Sequence, residues 1–199
     1  MSESPSSFGR LVSLACHDLR TPLSTVLGFA RTLAQRGNPN ERERRYLELM
    51  EAAAERTVEL LDELALAVRI ESGRWQPGLE QVDTLALARA AAERVEEGEV
   101  RVGGEGASAL LDREPCERAL AALAGAALRH GRLGELELDV EGTTLTLSPV
   151  APDVGPVLLG ADLRDLRAAI GTRVLEALGG CLELDAERLQ IRLPGDDEM

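Results

Sequence analysis

Residues 12–40 read VSLACHDLRTPLSTVLGFARTLAQRGNPN, and the spacing of their apolar side chains decides the fold of the first part of the chain. Val12, Cys16, Leu19, Leu23, Val26, Ala30 and Leu33 follow one another at alternating steps of four and three residues, the seam of a coiled coil or helical bundle. The seam predicts a helix over about residues 6–36. Gly37, Asn38, Pro39 and Asn40 break it, because four turn-forming residues in a row do not continue a helix. Asn40 is placed to cap a second helix, with Glu43 three residues on to close a capping box. That helix runs to about Glu71 on the stripe Leu47, Met50, Ala54, Thr57, Leu61, Leu64 and Val68. Two helices joined by so short a turn form an antiparallel hairpin. One hairpin cannot hide both stripes from water, whereas two can, so a homodimeric four-helix bundle is expected.

Composition excludes several classes of function. The chain has 199 residues, 35 of them acidic and 22 basic, for a net charge of −13, and every basic residue is Arg. Phe8, Phe29, Tyr46 and Trp75 are all of its aromatics. A chain so acidic and so poor in stacking side chains is not expected to bind nucleic acid. Uncharged runs such as 21–30 and 119–128 are about half the ~20 residues that a membrane helix needs, so no membrane span is expected. Residues 1–9 lack the basic-then-apolar order of a signal peptide, and a cytoplasmic protein is expected. Cys16, Cys116 and Cys181 are scattered and form no metal-binding spacing, so they read as reduced and buried, with no metal site.

After residues 72–78, SGRWQPG, the pattern changes. Helices are expected over about 83–96, 113–129 and 162–178, the last stopped by Gly179 and Gly180. Strands are expected over about 99–102, 107–111, 135–140 and 143–147, with a Pro/Gly-rich loop over 148–160 and a closing hairpin of 181–185 and 188–193. Helices interleaved with antiparallel strand pairs make a two-layer α/β sandwich. The fold class is therefore α+β: a helical hairpin in residues 1–75, then an α/β sandwich in residues 76–199.

One segment carries chemistry: His17, Asp18, Leu19, Arg20, Thr21, Pro22 and Leu23. His17 is next to the seam residue Cys16, at the edge of the buried stripe, and Thr21 is four residues on and so on the same face. Ser13 and Ser24 extend this small, polar face. A neutral imidazole has one lone-pair nitrogen able to attack phosphorus while the other holds the proton. A neighbouring carboxylate, here Asp18, fixes that tautomer and stabilises the charge that forms on the ring. Pro22 has no N–H for the carbonyl of Asp18, so a bend is expected just beyond His17. His130, at the end of a helix before Gly131, reads as a C-terminal cap residue.

The segment from His17 to Leu23 resembles the H-box of sensor histidine kinases. Gly28, Phe29 and the closing run from Arg69 to Gly73 resemble the rest of that dimerisation and phosphoacceptor domain. The resemblance implies that His17 is phosphorylated, that Asp18 assists, and that Thr21 helps hydrolyse a partner's phosphoaspartate. Residues 76–199 resemble the Bergerat-type ATPase domain that follows in this family, but in a degenerate form. Ala122 and Ala126 stand where the family places Asn, the latter a magnesium ligand, and a methyl cannot coordinate Mg²⁺. Asp165 and Arg167 stand where it has glycines that let backbone N–H groups approach phosphate. Asp153 and Gly155 match its adenine-reading box only loosely. ATP and Mg²⁺ are therefore expected not to bind.

The expected function is that of a cytoplasmic, dimeric histidine phosphotransferase in a phosphorelay, exchanging phosphoryl groups through His17 with the aspartate of a response-regulator receiver domain. Arg20 is expected to meet the phosphoryl group or the regulator's acidic site. Three alternatives stay open: a regulator phosphatase or pseudokinase using Thr21, an atypical active histidine kinase, and a non-catalytic dimer that binds the regulator.

Overall fold

The seam over residues 12–33 folds as one unbroken helix, α1 (Ser7–Arg36), which a turn joins to α2 (Glu41–Glu71). The structure, a computed structural model, describes residues 7–36 and 38–195, so Gly37 of the expected turn lies outside the described residues. The expected capping box is present: the Glu43 amide donates to Asn40 Oδ1 at 3.0 Å, and the Asn40 amide donates to Glu43 Oε2 at 2.9 Å. The chain divides into two units, Met1–Trp75 and Gln76–Met199.

Within the first unit the stripe splits in two. Cys16 and Ala30 of α1, each 2% exposed, are buried, as are Ala54 and Leu61 of α2. Leu19, Val26 and Leu33, the alternate heptad positions of the same stripe, are 56%, 44% and 57% exposed, and Met50 of α2 is exposed with them. One heptad position closes the hairpin and the other is left facing out.

The second unit contains β1 (Glu80–Asp83), α3 (Thr84–Glu93), β2 (Glu99–Gly106), β3 (Ser108–Leu111) and α4 (Arg113–Gly131). It continues with β4 (Glu135–Gly142), β5 (Thr144–Ser148), α5 (Gly155–Leu158), α6 (Leu166–Ala177), β6 (Cys181–Asp185) and β7 (Arg188–Arg192). Five strands form one sheet in the order β2-β4-β5-β7-β6, with β2 parallel to β4 and the other pairs antiparallel. Alternate residues point into the core: Leu136, Leu138 and Val140 on β4, Leu145 and Leu147 on β5, Leu189 and Ile191 on β7. Their neighbours Glu137, Asp139, Thr144, Thr146 and Gln190 are not buried, so one sheet face is covered and one is wet. Helices α3, α4 and α6 form the covering layer. Burial contributes about 1.5–3 kcal/mol for each of these large aliphatic side chains.

Two glycines set close approaches. A Cβ on Gly171 of α6 would lie 3.0 Å from the Ala119 carbonyl oxygen, so its absence lets α6 lie close against α4. Gly104 has φ +96°, and a Cβ there would fall on the Val140 carbonyl, so the parallel pairing of β2 with β4 requires glycine.

Several expectations need correction. The strands near 99–102 and 107–111 are not a pair: β3 pairs antiparallel with β1 in a separate two-stranded sheet. β1 has four residues and a single buried one, Val82, too short for a period to show. The last long helix starts at Leu166, with Asp165 as its N-cap, and not near 162. The loop over 148–160 contains a short helix, α5. Cys16 and Cys116 are buried as expected, but Cys181 is exposed at the start of an edge strand.

Candidate functional site

His17 is exposed on α1, directly after the buried Cys16, so the hairpin core fixes the backbone beneath it and leaves the imidazole at the surface. Thr21 and Ser24 are exposed as well. The Thr21 carbonyl accepts a hydrogen bond from Thr25 Oγ1 at 3.1 Å. The side chains of Ser13, Asp18 and Pro22 lie outside the described residues, though α1 runs through all three. Arg20 is tied across the hairpin to the Asp62 carboxylate on α2. Arg31, three turns further on, bridges Glu51 at 2.7 Å and Glu55 at 2.5 Å. His17, Arg20 and Thr21 therefore share one accessible face of α1, at spacings of three and four residues.

The second unit gathers charge where the sequence suggested a damaged phosphate loop. Asp165 caps α6 by accepting from the Ala168 amide at 3.1 Å. Its other oxygen lies 2.9 Å from Arg129 Nη2 and 3.0 Å from His130 Nε2, both on α4. Arg129 also pairs with Glu97. The Asp165 side chain is 8% exposed. Burial pushes its carboxyl up, but the hydrogen bonds from Arg129, Ala168 and His130 outweigh it and hold the group below the ordinary carboxylate value. The cap role expected of His130 is thus corrected. Arg132, with φ +53°, takes the C-terminal position of α4, and His130 instead turns to Asp165.

Of the other positions singled out, Ala126 is buried and Ala122 is half-buried on α4, and Arg167 is half-buried on α6. The two methyl groups supply no oxygen, so any Mg²⁺ held here takes its ligands from other groups. Gly155 begins α5 and packs against Leu184. Cys116 is buried, and burial, with the Glu117 and Asp112 charges, pushes its thiol up to about 12, so it is no thiolate nucleophile near neutral pH. Among the described residues, no group of three or more His, Cys, Asp or Glu side chains is placed to hold a metal, and no helix is long and apolar enough to cross a membrane.

Residues 9–73 match the model of the His Kinase A (phospho-acceptor) domain. A comparison with curated proteins returns no match. Among solved structures, the chain is similar to full-length ShkA in complex with AMPPNP, at 22% identity and a TM-score of 0.68. That match covers 93% of this chain and 45% of the other, so the chain spans less than half of that protein's length. It is also similar to the Acinetobacter baumannii histidine kinase AdeS, at 19% identity and a TM-score of 0.56, over 91% of this chain and 98% of that one. Both matched structures share this fold with the chain, a helical hairpin followed by an α/β sandwich. Residues 9–73 thus carry a phospho-acceptor domain of the His Kinase A type, and the chain as a whole shares the fold of these two proteins.

The likeness corrects one expectation. The replacements at Ala122, Ala126, Asp165 and Arg167 predict that ATP and Mg²⁺ do not bind. Yet the fold in which these residues sit is one that holds AMPPNP, an ATP analogue, in a solved structure. These replacements remove side-chain ligands and close backbone approaches at particular positions only. A nucleotide is also held by shape and by backbone groups, which a fold keeps when single side chains change. Two features had no signal in the sequence: the Arg20–Asp62 pair and the clamp of Arg129 and His130 on Asp165. Each joins residues more than thirty positions apart, beyond any local period.

Proposed function

We propose that this protein is a dimeric histidine phosphotransferase of a phosphorelay, in which His17 exchanges a phosphoryl group with the aspartate of a response-regulator receiver domain. The observation that carries the reading is the exposed His17 on a helix matched to a phospho-acceptor domain, seated on a buried hairpin core. One imidazole nitrogen attacks phosphorus of the regulator's aspartyl phosphate. A nitrogen–phosphorus bond forms, the acyl phosphate P–O bond breaks, and the aspartate leaves as its carboxylate with the bonding pair. Asp18, the next residue, is the carboxylate that fixes the ring tautomer and offsets the positive charge on it. Arg20 neutralises charge on the phosphoryl oxygens. Thr21, one turn beyond His17, orients a water when the aspartyl phosphate is hydrolysed instead. The exposed positions Leu19, Val26 and Leu33 are the surface for a second copy, which completes a four-helix bundle. The dimer works in the cytoplasm.

A second reading, ATP-dependent phosphorylation of the same nitrogen, is favoured by the fold shared with an AMPPNP complex. Labelled ATP–Mg²⁺ and a pre-phosphorylated receiver domain, supplied separately, distinguish the two. The expected result is acid-labile label from the receiver, lost in His17→Ala and slowed on the order of 10²-fold in Asp18→Asn. Label that arrives from ATP and never from the receiver overturns the phosphotransfer reading in favour of the kinase.

A further inference from the structure

One partner of Arg20, the Asp62 carboxylate, has no place in the chemistry above. Arg20 Nη2 on α1 is paired with Asp62 Oδ1 on α2. The two side chains remain 43% and 44% exposed, so water and salt screen the pair and it adds little stability. Arg31 with Glu51 and Glu55 already ties the same two helices. What sets Arg20 apart is its position three residues from His17, where side chains on a helix are neighbours. A phosphoryl group on His17 brings up to about two negative charges within reach of this guanidinium, whose planar fork fits phosphate oxygens in pairs. The Asp62 carboxylate offers only one charge, in a screened setting, so the phosphoryl group outcompetes it.

We infer that Asp62 is a positioning residue that holds Arg20 beside His17 in the unphosphorylated chain and yields it to the phosphoryl group once His17 is modified. The inference rests on His17 being the phosphoacceptor. No covalent bond changes in the exchange: one ion pair replaces another, and both guanidinium charge and proton count are conserved. When the phosphoryl group departs, Asp62 takes Arg20 back. The competing carboxylate keeps phosphohistidine from being over-stabilised, so the group can still leave.

The test uses the full chain phosphorylated at His17 with phosphoramidate. That reagent's P–N bond breaks, ammonia leaves, and a new P–N bond forms on the ring, with no regulator involved. Nitrogen NMR of the Arg20 guanidinium is read before and after. The Arg20 resonances are expected to move on phosphorylation, and Asp62→Asn is expected to remove the ion-pair signature from the unmodified chain. With a phosphorylated receiver domain, Asp62→Asn shifts the phosphoryl partition two- to fivefold toward His17, about the weight of one exposed pair. Asp62→Glu restores the wild-type partition, and the shift vanishes when Arg20→Gln is already present. Arg20 resonances that stay put on phosphorylation overturn the inference, as does a shift that persists in Arg20→Gln. If phosphoramidate labels His17 but the receiver does not, the phosphotransfer reading fails by itself and the Arg20 resonances still decide the role of Asp62. If His17 resists phosphoramidate as well, both fall.

Discussion

Asp165 shows how one residue can be read correctly by type and wrongly by role. Its position at the start of a helix, before Ala168, is a local feature, and the sequence marks the spot as altered from a glycine-rich loop. The neutralisation of its charge is not local, because Arg129 and His130 come from α4, more than thirty residues away. A carboxylate that appeared repulsive is in fact a capped and clamped anchor between two helices. Asp165→Ala removes the cap and takes the shared carboxylate from His130 and from Arg129, which keeps Glu97, and is expected to destabilise the protein by about 1–3 kcal/mol in urea titrations near neutral pH. The carboxyl is held below its ordinary value, so its contribution is present above about pH 4 and is lost as pH falls through the folded-state value. The gap between wild type and Asp165→Ala therefore narrows on acidification. A gap that widens below pH 4 contradicts the clamp.

At the scale of elements, the hairpin was legible almost to the residue. Its seam, breaker and capping box are all local patterns, and α1 and α2 form from them. The division of the seam was not legible. Cys16 and Leu19 look equivalent in a heptad, yet one is buried and the other exposed, because a two-helix hairpin has only one inner face. The two halves predict different failures. Leu61→Ala, inside the hairpin, is expected to cost about 2–3 kcal/mol of stability. Val26→Glu, on the outer face, is expected to leave the helical circular dichroism in place while sedimentation shows monomer. Unfolding by Val26→Glu, or a dimer that survives it, contradicts this division.

The whole molecule distributes its charge unevenly. Residues 1–75 hold 11 acidic side chains and 10 Arg, whereas residues 76–199 hold 24 acidic side chains and 12 Arg. The hairpin is thus nearly neutral, and the α/β unit carries almost all of the −13. Two copies that each carry this net charge repel one another overall. Dimerisation is therefore expected to tighten several-fold as ionic strength rises from about 0.01 M to 0.15 M, where the screening length falls from about 30 Å to 8 Å. Weakening with salt in sedimentation equilibrium would instead point to an interface held by opposite charges. Features that arise within a few residues of one another are legible in the chain alone: two amphipathic helices, the break between them, the helix cap, the alternating strands and the placement of His17 at the edge of a seam. Packing alone sets which half of the seam is inside, that β3 leaves β2 to pair with β1, and that Asp62, Arg129 and His130 hold partners far along the chain. The physical reason is range. Periodicity and capping act over one or two turns, while ion pairs and sheet order follow from packing, which brings together residues that no local pattern connects.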